Sequence, residues 1–362
     1  MLQETDSPDR DAPEIACFGE ILLRLSAPHC ELLLQSPTLQ THIGGAEANV
    51  AVSLTQLGHR VTMASVVPDN PLGSACAGEL RRRDVGTRWI RTVPGRMGLY
   101  FLTVGAGHRP SEVLYDRADS SFALASPDLM DWGRILSGVK WFHVSGVTPA
   151  VGPRAAESAL RAVRMAREQG VSVSFDCNYR AKLWERWSGD PRAILREIVE
   201  HADLLFAEER DMALILGRTG PARSAGPARS EDTSGEIPPR ERFRAAAADA
   251  MSTFPRLRTV ATTVRTQRSV DDHDLSAISL SRDGLCTTRV YSIGRIIDRI
   301  GSGDAFAAGV LHGLLTGLDQ QATLDFGLAA ACLKHSIPGD FNLVGVADVQ
   351  NLLRDTGFTV RR

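Results

Sequence analysis

The sequence predicts an α/β protein: a parallel sheet with helices on both faces and a small β appendage. Three observations carry this. Strand-like and helix-like segments alternate from Trp141 to Leu216, as repeated βα units do. Three β-rich segments at 88–93, 97–104 and 111–116, joined by glycine-containing turns, interrupt that alternation in the manner of hairpins. Near the end, Ile296-Ile-Asp-Arg-Ile-Gly-Ser-Gly-Asp-Ala-Phe-Ala-Ala-Gly309 passes from an apolar segment through a glycine loop into an Ala-rich helix starting at or just after Asp304.

Taken in order, the chain opens with a polar tail and becomes ordered near Pro13. Ile15 to Leu25 reads as one short strand with Gly19-Glu20 near its middle. Gly44 and Gly45, followed by apolar Val50, Leu54 and Leu57, fit a loop entering an amphipathic helix that Gly58 ends. A strand at 61–66 and a helix at 72–84 precede the β-rich stretch. Beyond it come strand 141–144, helix 155–169, strand 171–175, helix 191–201, strand 203–206 and helix 211–216. Residues 217–240, rich in Pro, Gly, Ser and Arg and lacking periodicity, predict a flexible surface loop. Helix 241–251 and strands near 259–264, 275–280 and 285–291 lead to the glycine loop and two closing helices. The first closing helix carries Gly309, Gly313 and Gly317 at four-residue spacing, giving it one small face.

Composition narrows the partners. A chain of 362 residues with 43% hydrophobic content can bury a large core. Its formal net charge of −2 gives no reason to expect a nucleic-acid or anionic-membrane partner, which leaves small molecules. Six cysteines without a CxxC pair, a polar Met1–Glu14 and no membrane-length apolar run describe a reduced, cytoplasmic protein. The histidines at 143, 201 and 312 lack metal-ligand spacing and read as core, so no structural metal is expected. Cys177 has no base beside it and reads as packing.

The chemistry concentrates in the glycine loop. Gly301 and Gly303 free the backbone for unusual dihedrals, and the unpaired amides of a helix's first turn suit an anion. Asp304 is either a simple N-cap or a base beside a transferring phosphoryl group. A dinucleotide fingerprint fails because Phe306 stands at the third glycine position, and no Walker A string occurs.

Gly44-Gly-Ala-Glu-Ala-Asn49 early and Asp298-Arg-Ile-Gly-Ser-Gly-Asp304 late resemble the paired signatures of the PfkB, or ribokinase-like, family of carbohydrate kinases. Phe18-Gly-Glu-Ile-Leu-Leu-Arg-Leu25, Asp176-Cys-Asn-Tyr-Arg-Ala-Lys-Leu-Trp184 and Leu333-Lys-His-Ser-Ile-Pro-Gly-Asp-Phe-Asn342 resemble the family's 2-keto-3-deoxygluconate kinases. The resemblance implies a ribokinase-like three-layer α/β/α sandwich with a small β-sheet lid. The body would comprise 13–28, 44–87 and 121–362, and the lid 29–43 and 88–120. The implied reaction moves the γ-phosphate of ATP to the terminal hydroxyl of 2-keto-3-deoxygluconate, with Mg2+ bridging the phosphates. Asp304 would take the proton, while the amides around Gly301, Ser302 and Gly303 hold the developing charge.

For the substrate, the resemblance points to Gly44, Gly45, Asn49, Tyr100, Tyr115, Arg117, Asn178 and Arg180. Gly44 and Gly45 would let the backbone approach the sugar, and Asn49 would donate to its hydroxyls. A carboxylate-bearing sugar wants a guanidinium fork, which Arg117 and Arg180 offer. Thr262-Thr-Val-Arg-Thr-Gln-Arg268 resembles the nucleotide strand, making Thr263 and Arg265 cofactor-binding candidates, and Asp298 would steady the loop or a metal-bound water. One departure stands out. Where many members place Asn-x-x-Glu, this chain has Ala207-Glu-Glu-Arg-Asp211, so Glu208 or Glu209 with Asp211 could supply acidic groups, although Arg210 alters the local charge. A homodimer or larger assembly through lid edges is expected. The competing readings are a fructokinase-like or other sugar kinase, and a non-catalytic binding protein on a kinase scaffold.

Overall fold

The computed structural model describes residues 14–218 and 238–354. The opening tail and most of the 217–240 loop expectation lie outside the described residues. Among the described residues fourteen strands form two sheets. In chain order they are β1 Ile15–Phe18, β2 Leu22–Ser26, β3 Gln40–Gly44, β4 Val61–Pro68, β5 Gly86–Val93, β6 Gly98–Thr103 and β7 Glu112–Asp116. After these come β8 Trp141–Ser145, β9 Ser172–Asp176, β10 Leu204–Phe206, β11 Thr259–Gln267, β12 Asp272–Ser281, β13 Gly284–Thr287 and β14 Tyr291–Gly294.

The large sheet has ten strands in the order β13-β12-β11-β10-β9-β8-β1-β4-β5, with β14 also paired to β12. It is parallel from β11 to β5 and antiparallel beyond β11. Period-two alternation sorts its side chains into two cores. Ala16 and Phe18 of β1 join Phe142, Val163, Leu195 and Met212 on one face. Ile15 and Cys17 join Val50, Leu54, Phe306 and Leu311 on the other. Three layers follow from that alternation.

The chain winds outward from β1 in both directions, so the strand order reverses between β1 and β8. Open α/β sheets form ligand crevices at such points, beyond the C-terminal ends of their strands. Glu47, buried on the helix Ala46–Gln56, closes the base of this crevice: its Oε1 accepts from Ser145 N at 2.8 Å, Ser145 Oγ at 2.8 Å and Thr148 Oγ1 at 2.6 Å.

The small sheet runs β3-β2-β6-β7. Two strand assignments differ from the sequence reading. Ile15 to Leu25 is two strands in two sheets, because the chain leaves the body at Gly19, where Glu47 occupies the space a Cβ would need. Leu22–Ser26 thus pairs in the small sheet with β3 and β6. Conversely, the 88–93 segment belongs to β5 and pairs with β4 at the edge of the large sheet.

The last two long helices, Ser302–Thr316 and Gln320–Lys334, pack face to face. A Cβ at Gly309 would lie 2.7 Å from the Gly327 Cα, and one at Gly313 2.6 Å from the Thr323 Oγ1, so the small face serves a close helix crossing. No helix among the described residues is long and apolar enough to cross a membrane.

Candidate active site

The glycine loop begins its helix earlier than the sequence implied. The helix runs Ser302–Thr316, and its N-cap is Gly301 in the left-handed region (φ 82°). A Cβ at Gly301 would also strike the Asp340 carbonyl, so this position is held for glycine by conformation and by space. Asp304 therefore sits in the first turn and makes no capping bond. Its Oδ2 instead accepts from the Asn49 Nδ2 at 2.6 Å. Of the loop amides, Ser302 N–H donates to Arg299 O at 3.3 Å, while for Gly301 and Gly303 no acceptor is found among the described residues. Such open amides suit an incoming anion.

Asp304 opens onto a cavity of about 410 Å³ lined from both sheets. Burial raises its pKa to about 7, with the Glu47 and Asp340 carboxylates adding to the rise and the Asn49 amide and Arg180 opposing it. Asp176, at the end of β9, is pushed up to about 8 by burial and then by Asp304. Asp211, also on the cavity wall, is raised by burial. A crevice of partly neutralised acids next to open amides can accept a proton near neutrality and can receive a cation carried by an anion.

The carbohydrate-kinase reading can now be set beside known proteins. The model of the pfkB family of carbohydrate kinases matches residues 12–340. The chain belongs to that family. It is 32% identical over 350 residues to a 2-dehydro-3-deoxygalactonokinase of Haloferax volcanii, with 94% of this chain and 96% of that protein covered. A 2-dehydro-3-deoxygluconokinase of Thermoproteus tenax is 26% identical over 90% of this chain and 89% of that one. The crystal structure of the 2-dehydro-3-deoxygluconokinase of Thermotoga maritima superposes with a TM-score of 0.85 at 36% identity, covering 95% of this chain and 100% of that one.

Within this kinase the cavity is lined by Gly301, Ser302, Gly303, Asp304, Gly45, Asn49, Tyr100, Tyr115, Arg117, Asn178, Arg180, Thr263 and Arg265. Gly44 and Asp298 are not on its wall. A Cβ at Gly44 would run into the Asp340 carboxylate, so this glycine makes room for a protein side chain rather than for a sugar. Asp298 is buried: Oδ1 accepts Ile300 N at 3.0 Å, and Oδ2 accepts Gly339 N at 3.0 Å and pairs with Arg24 Nη2 at 2.7 Å. It braces the loop and stands off the cavity wall.

Three expected substrate contacts are also qualified. Arg117 is buried and gives Nε (2.7 Å) and Nη2 (2.5 Å) to Glu20 Oε2, so its fork is largely taken. Tyr100 donates its hydroxyl to Asp340 Oδ2. Asn49 gives one amide N–H to Asp304, and its buried Oδ1 has no partner among the described residues, so toward a sugar hydroxyl it can accept as well as donate its second N–H. Arg180, by contrast, is exposed at the cavity and donates only to the Tyr179 carbonyl at 3.2 Å. It follows a turn in which Asn178 takes a positive φ of 34° and gives its N–H to Asp176 Oδ1 at 3.1 Å.

At the end of β11 and in the glycine loop, Arg265 and Arg299 both line the cavity, and neither has an ion-pair partner among the described residues. Burial and the Arg299 guanidinium hold Arg265 below the usual arginine value. Of the acids at the Asn-x-x-Glu position, Glu208 and Asp211 line the cavity and are tied by Glu208 N to Asp211 Oδ2 at 3.0 Å. Glu209 turns to Arg242 at 3.1 Å instead. Among the described residues no three metal-ligating side chains cluster as a cage. Two or three acids beside an anion cradle nevertheless fit magnesium, which keeps water and phosphate ligands and takes few from the protein. Sequence reasoning passed over Glu47, Asp176, Arg24 and Asp340 as site residues. All four lie inside the quoted kinase-like strings, whose side-chain partners become visible only in space.

Proposed function

We propose that this PfkB kinase transfers the γ-phosphate of ATP to the terminal hydroxyl of a 2-keto-3-deoxy sugar acid, with 2-keto-3-deoxygluconate as the reference acceptor. The single observation carrying the mechanism is Asp304: a carboxylate in the first turn of the glycine-loop helix, beside open amides, with its pKa raised to about 7. A base poised near the working pH balances availability against proton affinity. Asp304 removes the proton of the sugar hydroxyl as that oxygen bonds to the γ-phosphorus, the bond to the β-γ bridging oxygen breaks, and ADP leaves. The Asn49 amide orients the accepting carboxylate. The amides of Gly301 and Gly303 meet the charge on the transferring oxygens, a contribution of about 10²- to 10³-fold per donor.

Asp176, Asp211 and Glu208 are the residues that would hold magnesium with the phosphates, where it supplies charge neutralisation. Arg265 and Arg299 steady the rest of the phosphate chain. Arg180 supports the acid substrate class, since on the side of the cavity after β9 it offers a guanidinium with no ion-pair partner among the described residues, able to take a carboxylate through two parallel hydrogen bonds. The similarity to a galactonokinase keeps the galactonate epimer as a second acceptor.

The test is ADP release with Mg-ATP and 2-keto-3-deoxygluconate, its galactonate epimer, gluconate, fructose or ribose. Turnover confined to the keto-deoxy acids is expected. Equal turnover of fructose would remove the carboxylate argument, and no turnover with retained nucleotide binding would leave only a binding protein.

A further inference from the structure

Behind the glycine loop lies a buried ionic cluster that phosphoryl transfer does not itself require. Arg24, on lid strand β2, is 3% exposed. Its Nη2 pairs with Asp298 Oδ2 at 2.7 Å, its Nη1 with Asp340 Oδ1 at 3.1 Å, and its Nε donates to Ser26 Oγ at 2.7 Å. Each of the two acids in turn reaches the loop. Asp298 receives the Ile300 amide, and the Asp340 carbonyl packs where a Gly301 Cβ would stand. Asp340 also receives the hydroxyl of Tyr100 from lid strand β6. Below them the wholly buried Lys334 donates to the Ile337 carbonyl at 2.9 Å and to the Asp298 carbonyl at 3.4 Å. One guanidinium thus spans the lid and the two residues that shape the anion-holding amides.

We propose that Arg24 is a positioning residue, coupling the seating of the lid sheet to the geometry of the Gly301–Gly303 cradle through Asp298 and Asp340. Several features favour this over a merely structural ion pair. The bridge joins a strand of the small sheet to two loops of the α/β body, and both acids reach the glycine loop, Asp298 through its carboxylate at the Ile300 amide and Asp340 through its backbone carbonyl beside Gly301. The planar fork suits two acceptors at once, whereas an ammonium at the same place is a single point charge. The proposal rests on the reading of the glycine loop as a phosphoryl cradle.

The test compares wild type with Arg24→Lys, which keeps the buried charge and most of the volume, and with Arg24→Lys/Asp298→Asn. Measured are kcat, the KM for each substrate, the melting temperature, and the affinity for ADP with and without aluminium fluoride in the presence of 2-keto-3-deoxygluconate. Expected for Arg24→Lys is a fall in kcat of about tenfold and a similar loss in the extra affinity conferred by aluminium fluoride. ADP affinity alone should stay within about twofold, and the double variant should lose little more than the single. A folded Arg24→Lys protein with wild-type kcat and undiminished aluminium-fluoride enhancement would overturn the proposal. Should wild type itself show neither turnover nor that enhancement, the cradle reading would fall first, and the proposal with it.

Discussion

Arg117 and Arg180 line the same cavity, one just past β7 in the lid and the other in the loop after β9, yet their charges are spent differently. Arg117 is buried against Glu20, which also accepts from Ser120 Oγ at 2.5 Å. Arg180 is exposed to the cavity and meets only a backbone carbonyl. The same residue type, each in a polar string near the site, therefore serves as a brace in one place and as a free ligand group in the other. What separates them is whether the chain elsewhere supplies a carboxylate: Glu20, about a hundred residues upstream, reaches Arg117, and no acid forms an ion pair with Arg180 among the described residues.

The strongest way to break this contrast is Arg117→Met, which strands the Glu20 carboxylate in the interior. Removing one partner of a buried pair costs about 3–5 kcal/mol, which urea unfolding would read. Arg180→Leu should stay within about 0.5 kcal/mol of wild type in the same assay, as exposed substitutions do. Equal stability of the two variants would erase the distinction between brace and ligand.

Next in size is Asp304→Asn, which tests whether the chemistry lies apart from both arginines. Loss of a positioned base should lower kcat about 10²-fold, or roughly 2.7 kcal/mol of barrier, with ATP affinity nearly intact in a calorimetric titration. Near-normal turnover would move the base elsewhere.

Arg180→Leu sharpens the free-ligand side. The KM for the keto-deoxy acid should rise about tenfold while the KM for ATP holds, since a charge-assisted contact contributes about 1.5–3 kcal/mol at most. An unchanged acid KM would argue that some other group takes the carboxylate.

The smallest effects are in pH. Asp304 accepts a proton only when ionised, so kcat should fall as pH drops through about 7. Because Arg180 helps to hold that pKa down, Arg180→Leu should move the acid limb to higher pH, and Arg117→Met should not. Stability has the opposite sign. Asp304 and Asp176 rise from 3.8 to about 7 and about 8 on folding, so the folded protein binds more protons than the unfolded chain between those values. Their contribution to stability is greatest below about pH 4 and is lost as pH climbs to about 8. Asp304→Asn should flatten part of that slope in melting experiments across the range.

Much of this architecture was legible in the chain itself, because period and punctuation are local properties. The alternation of helix and strand from 141 to 216 needed only apolar spacing and the prolines and glycines that bound it. Two assignments failed for a single reason. Gly19-Glu20 marks the exit from one sheet to another, and the 88–93 segment has the alternation of a lid strand, but sheet membership depends on which partner edge is free. Likewise the glycine loop announced an anion site, while the start of its helix, two residues before Asp304, depended on Asp340 and Asp298 holding Gly301 in place.

Residue types at local spacing determined the fold class, the family signatures and the candidate base, since a glycine loop and its carboxylate lie within four consecutive positions. Which charges face the cavity was decided only by folding. Arg24, Asp298 and Asp340 are far apart in the chain and compensate one another in the interior, Glu20 claims Arg117, and Asp304 owes its raised pKa to burial and to acids brought from a distant helix and loop, Glu47 and Asp340. Electrostatics depends on distance and dielectric through space, and a linear chain encodes neither directly.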